Sequence, residues 1–431
     1  MIDTLGLRND LIEASIKGSQ MARSTLFSGI DRLVSMKGAA QKNGRRIEAA
    51  DLSIVKDAVI VASGGKIDWV GPKGELPKAI RAKVGQTVNL GGATVLPAFV
   101  ECHTHLIFAG NRAGEFERRL QGESYQAIAK AGGGILSTVK GTRSATEAEL
   151  AKEGQKRVDR FLKQGVATVE IKSGYGLNVK EEIKILKAAK RLKKVRTIRT
   201  FLGAHAVSPD FPNLDAYVDH LSDVALPRIK KEKLAERVDI FIEQGFFTPE
   251  HARKYLGKAR ELGFGIAVHA DQLSLSGGSH IAVEFGAQSA EHLIKIGNDE
   301  IAKLAKSDLS CVLLPSSDLY MKCDYPPARR LIDAGARVAL ATDFNPGSSP
   351  SQDLALVGLL ARLEMGMSLP EVLGAYTVGA AHALGLGEKT GSIEVGKFCD
   401  FVTLDGEIEE LFYEVGRTPV DRVFIDGKLR T

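Results

Sequence analysis

The sequence predicts an α/β protein: a (β/α)8 TIM-like barrel with a small β-sandwich-like domain built from both chain ends. Three observations carry this. After Pro97 short β-rich runs alternate with longer helical stretches, and about eight such units fit into roughly 250 residues. Residues able to bind metal or carry a proton end several of these runs, the first and the last among them. Strand-and-turn text flanks the alternating region on both sides. The boundaries this implies are 1–96 for an N-terminal segment and the first part of the β domain, 97–385 for the barrel, and 386–431 for the strands that complete the β domain.

Residues before about Met21 are weakly patterned and read as an unusual leader or a vector-derived remnant. From Ser24 to Leu96 apolar runs are punctuated by turns. Ala58 to Gly71 reads as a hairpin around Gly64-Gly65. Barrel strands are expected at Val100 to His105, Val166 to Lys172, Thr200 to His205, Val238 to Glu243, Gly265 to His269, Ala287 to His292, Leu309 to Leu314 and Val338 to Asp343. Helical patterns fill the intervals; the one from Pro249 follows an N-cap residue, Thr248. A doubly wound open sheet is the alternative, but it gathers ligands at one switch point, whereas a closed barrel brings its first and last strands together. Ala131-Gly-Gly-Gly-Ile135 lacks the GxxxxGK[ST] spacing of a phosphate loop and reads as a flexible loop over a substrate. Gly391 to Leu404 and Val423 to Lys428 return to β character and are expected to join the N-terminal strands.

With 431 residues, 44% of them hydrophobic and 26% charged, the chain has the composition of a soluble globular protein. A net charge of +5 from interspersed Lys/Arg and Asp/Glu gives no reason to infer a nucleic-acid partner. The basic stretch Lys187 to Lys194 has helical spacing and reads as a solvated face. Cys102, Cys311, Cys323 and Cys399 show no CxxC pairing or framework spacing, which favours free thiols in a reducing compartment. No run of about 18 apolar residues suggests a membrane span. Cytoplasmic location is the expectation.

His103-Thr104-His105 closes an apolar run, and residues two apart in a strand point the same way, so one strand end can offer two imidazoles to one ion. Strand alternation turns Cys102 away, as a buried small hydrophobe. His269, His292 and Asp343 end later runs with side chains suited to a metal or a proton. Together they make a hydrolase site.

At this point the chain resembles the amidohydrolase superfamily and, within it, the imidazolonepropionase family of histidine degradation. The general motifs are Pro97 to His105, His269, His292, Asp343 and the tail Gly391 to Asp400. The narrower ones are Phe108 to Arg112, Ala131 to Val139, Glu170 to Leu177, Phe201 to Ala206 and Ala341 to Pro350. The resemblance implies hydrolysis of the ring amide of 4-imidazolone-5-propanoate to N-formimidoyl-L-glutamate. It implies one divalent ion, zinc or iron, on His103, His105, His269 and Asp343. Such an ion lowers the pKa of a bound water toward about 7; Asp343 takes that water's proton and His292 polarises the ring carbonyl or stabilises the oxyanion.

The resemblance also places Arg112, Tyr175, His205, Asn345, Gly347 and Ser348 around the substrate, and a homodimer is expected. Arg112 has its own warrant, because a guanidinium matches a propionate bidentately; a surface salt bridge is the other reading. Tyr175 competes with a turn role, and His205 with a core histidine. Gln272 stands where many superfamily members carry glutamate. An amide cannot shuttle protons, so Gln272 is expected to hydrogen-bond the substrate, with base work left to Asp343 and His292. Glu243 ends a strand where some relatives have a second-metal ligand, but one metal is preferred. His220, His251, His280 and His382 read as structural residues without partners. The competing functions are another cyclic amidohydrolase, a ring deaminase, which would need a carboxylic acid near position 272, and a scaffold that lost its chemistry.

Overall fold

The computed structural model describes residues 24–123 and 132–431. The leader reading and Ala131 of the glycine-rich loop lie outside them. Eight parallel strands run in sequence order round one sheet: β5 Phe99–Glu101, β6 Val166–Lys172, β7 Arg196–Ala204, β8 Arg237–Ile242, β9 Gly265–Ala270, β10 Ser289–His292, β11 Ser310–Leu313 and β12 Arg337–Leu340. The first and last strands meet through a parallel bridge between Thr104 and Phe344, with the His105 N–H donating to the Phe344 carbonyl at 3.0 Å. That contact closes the barrel and brings His103 beside Asp343. Open-sheet topology is thereby ruled out.

Strand β5 is shorter than the sequence suggests. Regular ladder pairing ends at Glu101 and resumes only at the isolated Thr104 bridge; the Glu101 carboxylate accepts from the His103 and Thr342 amides at 3.2 Å each. A buried acceptor therefore replaces strand hydrogen bonds where the chain turns toward the site. Helices pack outside the strands by ordinary amphipathic logic. In Glu147–Lys163 the buried residues Leu150, Ala151, Gly154, Val158, Phe161 and Leu162 recur at helical spacing, and Thr146 caps the start by accepting from the Glu149 N–H. Pro249–Glu261 starts as expected, with Thr248 accepting from the His251 N–H. Cys102 packs among Val100, Val312, Leu314 and Ala339, as strand alternation requires.

The remaining strands form one seven-stranded sheet in the order β15-β14-β13-β4-β1-β2-β3, built from β1 Ser24–Val34, β2 Ile54–Ser63, β3 Lys66–Pro72, β4 Val84–Pro97, β13 Phe401–Leu404, β14 Val420–Ile425 and β15 Lys428–Leu429. Both chain ends contribute, with β4 and β13 antiparallel at the join. The Gly64-Gly65 hairpin forms between β2 and β3, both glycines having positive φ. Edge strand β3 turns back onto the C-terminal segment: Ile67 exchanges backbone hydrogen bonds with Gly396 and Lys397. This folding-over wraps a separate core in which the Phe401 and Phe424 rings stack at 4.6 Å and Phe27 meets both edge-on. Among the described residues no helix is long and apolar enough to cross a membrane.

Candidate active site

The strand ends deliver their polar residues to a single buried knot. His103 Nε2 lies 3.3 Å and His105 Nε2 3.5 Å from Asp343 Oδ1. The His103 and His269 rings are 4.7 Å apart, and those of His269 and His292 5.3 Å. Among the described residues, potential ligand atoms within 4.8 Å of one another form four groups: His103 with His105 and Asp343, His103 with His269 and His292, His103 with Glu170 and Glu291, and Asp239 with His269 and Glu291. The structure thus gathers all four expected ligands and adds His292 at the same range. His292 and Asp343 both have left-handed backbones, φ 73° and 51°. Such conformations cost of order 1–3 kcal/mol and persist where surroundings impose them. Here the Thr342 N–H is fixed by Glu101 and the Asp343 carbonyl accepts from Asn345 Nδ2 at 2.7 Å.

Electrostatics sort these groups. Burial pushes the imidazolium form of His292 out, to a pKa of about 3, and that of His205 to about 4 with help from His269. Burial and then His205 hold His105 well below the usual histidine value. These rings are neutral. His103 differs: burial works against its proton, but the Glu291 and Asp343 carboxylates together outweigh burial and lift it to about 10. Burial alone would raise Asp343, yet His103 and the other imidazoles hold it below its usual value, so it is ionised.

Beneath the knot is a layer that the sequence reading did not assign. Lys172 Nζ is fully buried, 2.8 Å from Asp239, 2.9 Å from Glu170 and 3.0 Å from Glu291. Desolvation opposes its charge, but Asp239, Glu170 and Glu291 together outweigh it and keep the ammonium. Arg237 pairs with Glu170 from below. Upward, Glu291 Oε2 is 2.8 Å from His103 Nδ1, and Asp239 Oδ2 is 2.9 Å from His269 Nδ1, contacts that are short but not linear. The signal was present: charged residues sit inside otherwise apolar strands, in Val169-Glu170-Ile171-Lys172 and Val238-Asp239-Ile240. Asp318 was missed too. It is buried with Oδ2 unpartnered, and burial, then Asp343, pushes it up to about 8.

Above the knot a cavity of about 500 Å³ is lined by every residue expected around the substrate: Arg112, Tyr175, His205, Gln272, Asn345, Gly347 and Ser348. Buried acceptors hold each rim segment. Glu182 accepts from the Gly174, Gly176 and Leu177 amides, fixing Tyr175 between them. His205 stacks on His105 at 4.9 Å and contacts the Gly174 carbonyl through Nδ1 at 3.1 Å. Gly174, with φ 113°, leaves room for that ring, since a Cβ there would fall 2.8 Å from Nδ1. Asn345 Oδ1 accepts from the Gly347 and Ser348 amides, both at 2.8 Å.

Arg112 does form the salt bridge of its alternative reading, to Glu115 at 2.8 Å, and still lines the cavity. Gln272 also lines it, its Nε2 only loosely engaged with the Met321 sulfur at 3.7 Å. Glu243 is occupied with protein: it accepts from the Leu273 amide at 2.8 Å, the Ser274 amide at 3.2 Å and the Ser274 hydroxyl. That carboxylate secures the loop carrying Gln272. Of the four histidines read as partnerless, His251 contacts Asp215 at 3.0 Å, His280 contacts Glu300 at 3.1 Å, and His220 packs on Phe211. The correction follows from tertiary neighbours that sequence spacing does not reveal.

A cation fits the knot. His103 Nε2 and His292 Nδ1 are buried with no hydrogen-bond partner, an expensive state for a polar atom, and the negative surroundings that favour a proton on His103 favour any positive ion there. Imidazole nitrogens with one carboxylate suit a borderline divalent metal.

Comparison with known proteins agrees with this geometry. The model of the amidohydrolase family matches residues 94–430. An imidazolonepropionase from Bdellovibrio bacteriovorus is 58% identical over 404 residues, covering 94% of this chain and 96% of that protein; one from Bacillus velezensis is 42% identical over 410 residues with the same coverage. Among solved structures, a triazine hydrolase variant superposes with a TM-score of 0.73 at 17% identity, covering 94% of each chain. An adenosine deaminase from Xanthomonas campestris with bound zinc gives 0.64 at 19%, covering 94% of this chain and 92% of that one. At these identities the structures speak for the barrel alone. Family match, near full-length identity and site geometry agree: the chain belongs to the amidohydrolase family and, within it, to the imidazolonepropionases.

Proposed function

We propose that this enzyme hydrolyses the cyclic amide bond of 4-imidazolone-5-propanoate to N-formimidoyl-L-glutamate, using one divalent ion, zinc or iron, held by His103, His105, His269 and Asp343. The observation that carries the reading is one cavity with two chemistries: an imidazole and carboxylate knot, and a half-buried guanidinium suited to a propionate. When bound, the ion acts as a Lewis acid and supplies hydroxide from water near neutral pH.

The chain's own groups divide the remaining work. Asp343, ionised in its buried setting, accepts the attacking water's proton at Oδ. His292 is neutral, so it donates an N–H hydrogen bond to the ring carbonyl as negative charge develops there. Arg112, its Nε side on Glu115, offers the terminal nitrogens to the propionate. Tyr175, His205, Asn345, Gly347 and Ser348 orient the ring, and the Gln272 amide hydrogen-bonds its nitrogens. A deaminase reading is less favoured, because the amide at 272 cannot protonate a ring nitrogen. The working unit is read as a cytoplasmic homodimer of chains divided near residues 97 and 385, its cysteines all free.

The test is ring opening of 4-imidazolone-5-propanoate by purified protein of measured metal content. One ion per chain, loss of turnover on chelation and recovery with zinc or iron are expected. Turnover by metal-free protein, or two ions per chain, would overturn the assignment. Gln272→Glu should keep its ion and add a titrating carboxyl to the cavity, producing a new acidic limb in the pH–rate profile of kcat/KM. An unchanged profile would mean that position 272 does not face the reacting groups.

A further inference from the structure

We propose that Arg119 is a second carboxylate anchor in the cavity, acting with Arg112 to select a substrate side chain that ends in an anion. The identity of that side chain rests on the imidazolone reading, whereas the anchor geometry does not. Arg112 stands at the N-cap of the helix Ala113–Leu120, and Arg119 comes seven residues later. At 3.6 residues per turn that spacing returns to nearly the same helix face. Both arginines line the cavity.

They converge on Gly347. A Cβ at that position would fall 2.1 Å from Arg112 Nη1, and Arg119 Nη2 donates to the Gly347 carbonyl at 3.4 Å. Glycine lets the Arg112 guanidinium close on the same short stretch of backbone that Arg119 reaches through its carbonyl. Among the described residues, counter-charge is provided for only one of the two arginines. Glu115 takes Arg112 Nε at 2.8 Å and is further committed to the Gly134 amide and the Ser137 hydroxyl. Neighbouring Arg118 takes Glu123. Arg119 has no ion pair among the described residues; it has the long Gly347 contact and the face of Phe116. Residues 124–131, which follow, contain no Asp or Glu.

Two guanidinium groups facing one carboxylate leave one positive charge at the rim. Two planar guanidinium forks lining one cavity match a carboxylate better than a neutral amide of the same shape. An arginine serving only to brace the Gly347 loop would affect stability and would be indifferent to ligand charge.

Calorimetric titration of the metal-loaded enzyme with 3-(imidazol-4-yl)propanoate and with its uncharged propanamide separates these roles. The wild type should bind the acid at least about tenfold more tightly than the amide, the lower limit for a charged hydrogen bond. Arg119→Met should cut that preference at least about threefold, the remainder resting on Arg112, while leaving amide affinity within about twofold, and Arg119→Lys should retain more of it. Arg119→Gln provides the same reading if the methionine variant folds poorly. Acid preference undiminished in both neutral variants, or equal weakening of both ligands, would overturn the anchor. A wild type that shows the Arg119-dependent preference yet leaves the imidazolone ring closed would support the anchor and sink the proposed reaction.

Discussion

Asp343→Asn is expected to lower kcat by about 10²- to 10⁴-fold, the range for removing a positioned general base. The substitution is clean for backbone reasons. Position 343 has φ 51°, a conformation that asparagine adopts more readily than most residues, so strain should not increase. Its carbonyl hydrogen bond from Asn345 and the neighbouring Thr342 clamp to Glu101 are backbone contacts that survive. What is lost is the anion. In the native site, imidazoles outweigh burial and hold Asp343 ionised, giving a proton acceptor at neutral pH. The amide has no such capacity and is a poorer metal ligand. Turnover and metal content should therefore be measured on the same preparation, with excess ion supplied. Near-normal kcat in metal-loaded Asp343→Asn would remove Asp343 from the proton path and shift that role to another group.

The parts of this molecule legible in its sequence are those governed by short-range pattern. Alternation along a strand predicts that His103 and His105 share a face while Cys102 turns away, and the structure has this arrangement. Repeated strand and helix text predicts the barrel, and the barrel predicts that Asp343 returns to His103. The Lys172 layer was illegible because its meaning is a sum over three strands: Glu170 and Lys172 on β6, Asp239 on β8 and Glu291 on β10. Each residue alone reads as a stray charge. Only closure of the barrel shows that the charges compensate. Glu243 is a parallel case, since its strand-end position is compatible with a ligand, and only the fold shows it spent on the Leu273 and Ser274 amides. Family resemblance located the substrate rim more completely than spacing could, because loop residues carry no periodic signal.

Lys172→Met is expected to destabilise the folded protein by about 3–5 kcal/mol, the cost of removing one partner from a buried ion cluster. The side chains are of similar length, so little packing is lost; the effect is electrostatic. Without the ammonium, Glu170, Asp239 and Glu291 face one another in a fully buried space with Arg237, against Glu170, and the protonated His103, against Glu291, as compensating cations. Relief would come by taking up a proton. Because Asp239 and Glu291 also abut His269 Nδ1 and His103 Nδ1, the disturbance should pass to the metal knot. Loss of such outer partners typically costs about 10- to 100-fold in metal affinity. Urea unfolding of the metal-free protein isolates the stability term, and competition with a chelator measures the affinity term. Adding Glu170→Gln to Lys172→Met removes one of the three clustered carboxylates, the one that pairs with Arg237 and has no ion pair with either histidine, so it should recover part of the stability but not metal affinity. If Lys172→Met alone leaves both quantities unchanged, the cluster does not organise the site. If the double variant restores both together, Lys172 acts through general packing of the barrel interior, without orienting His103 and His269.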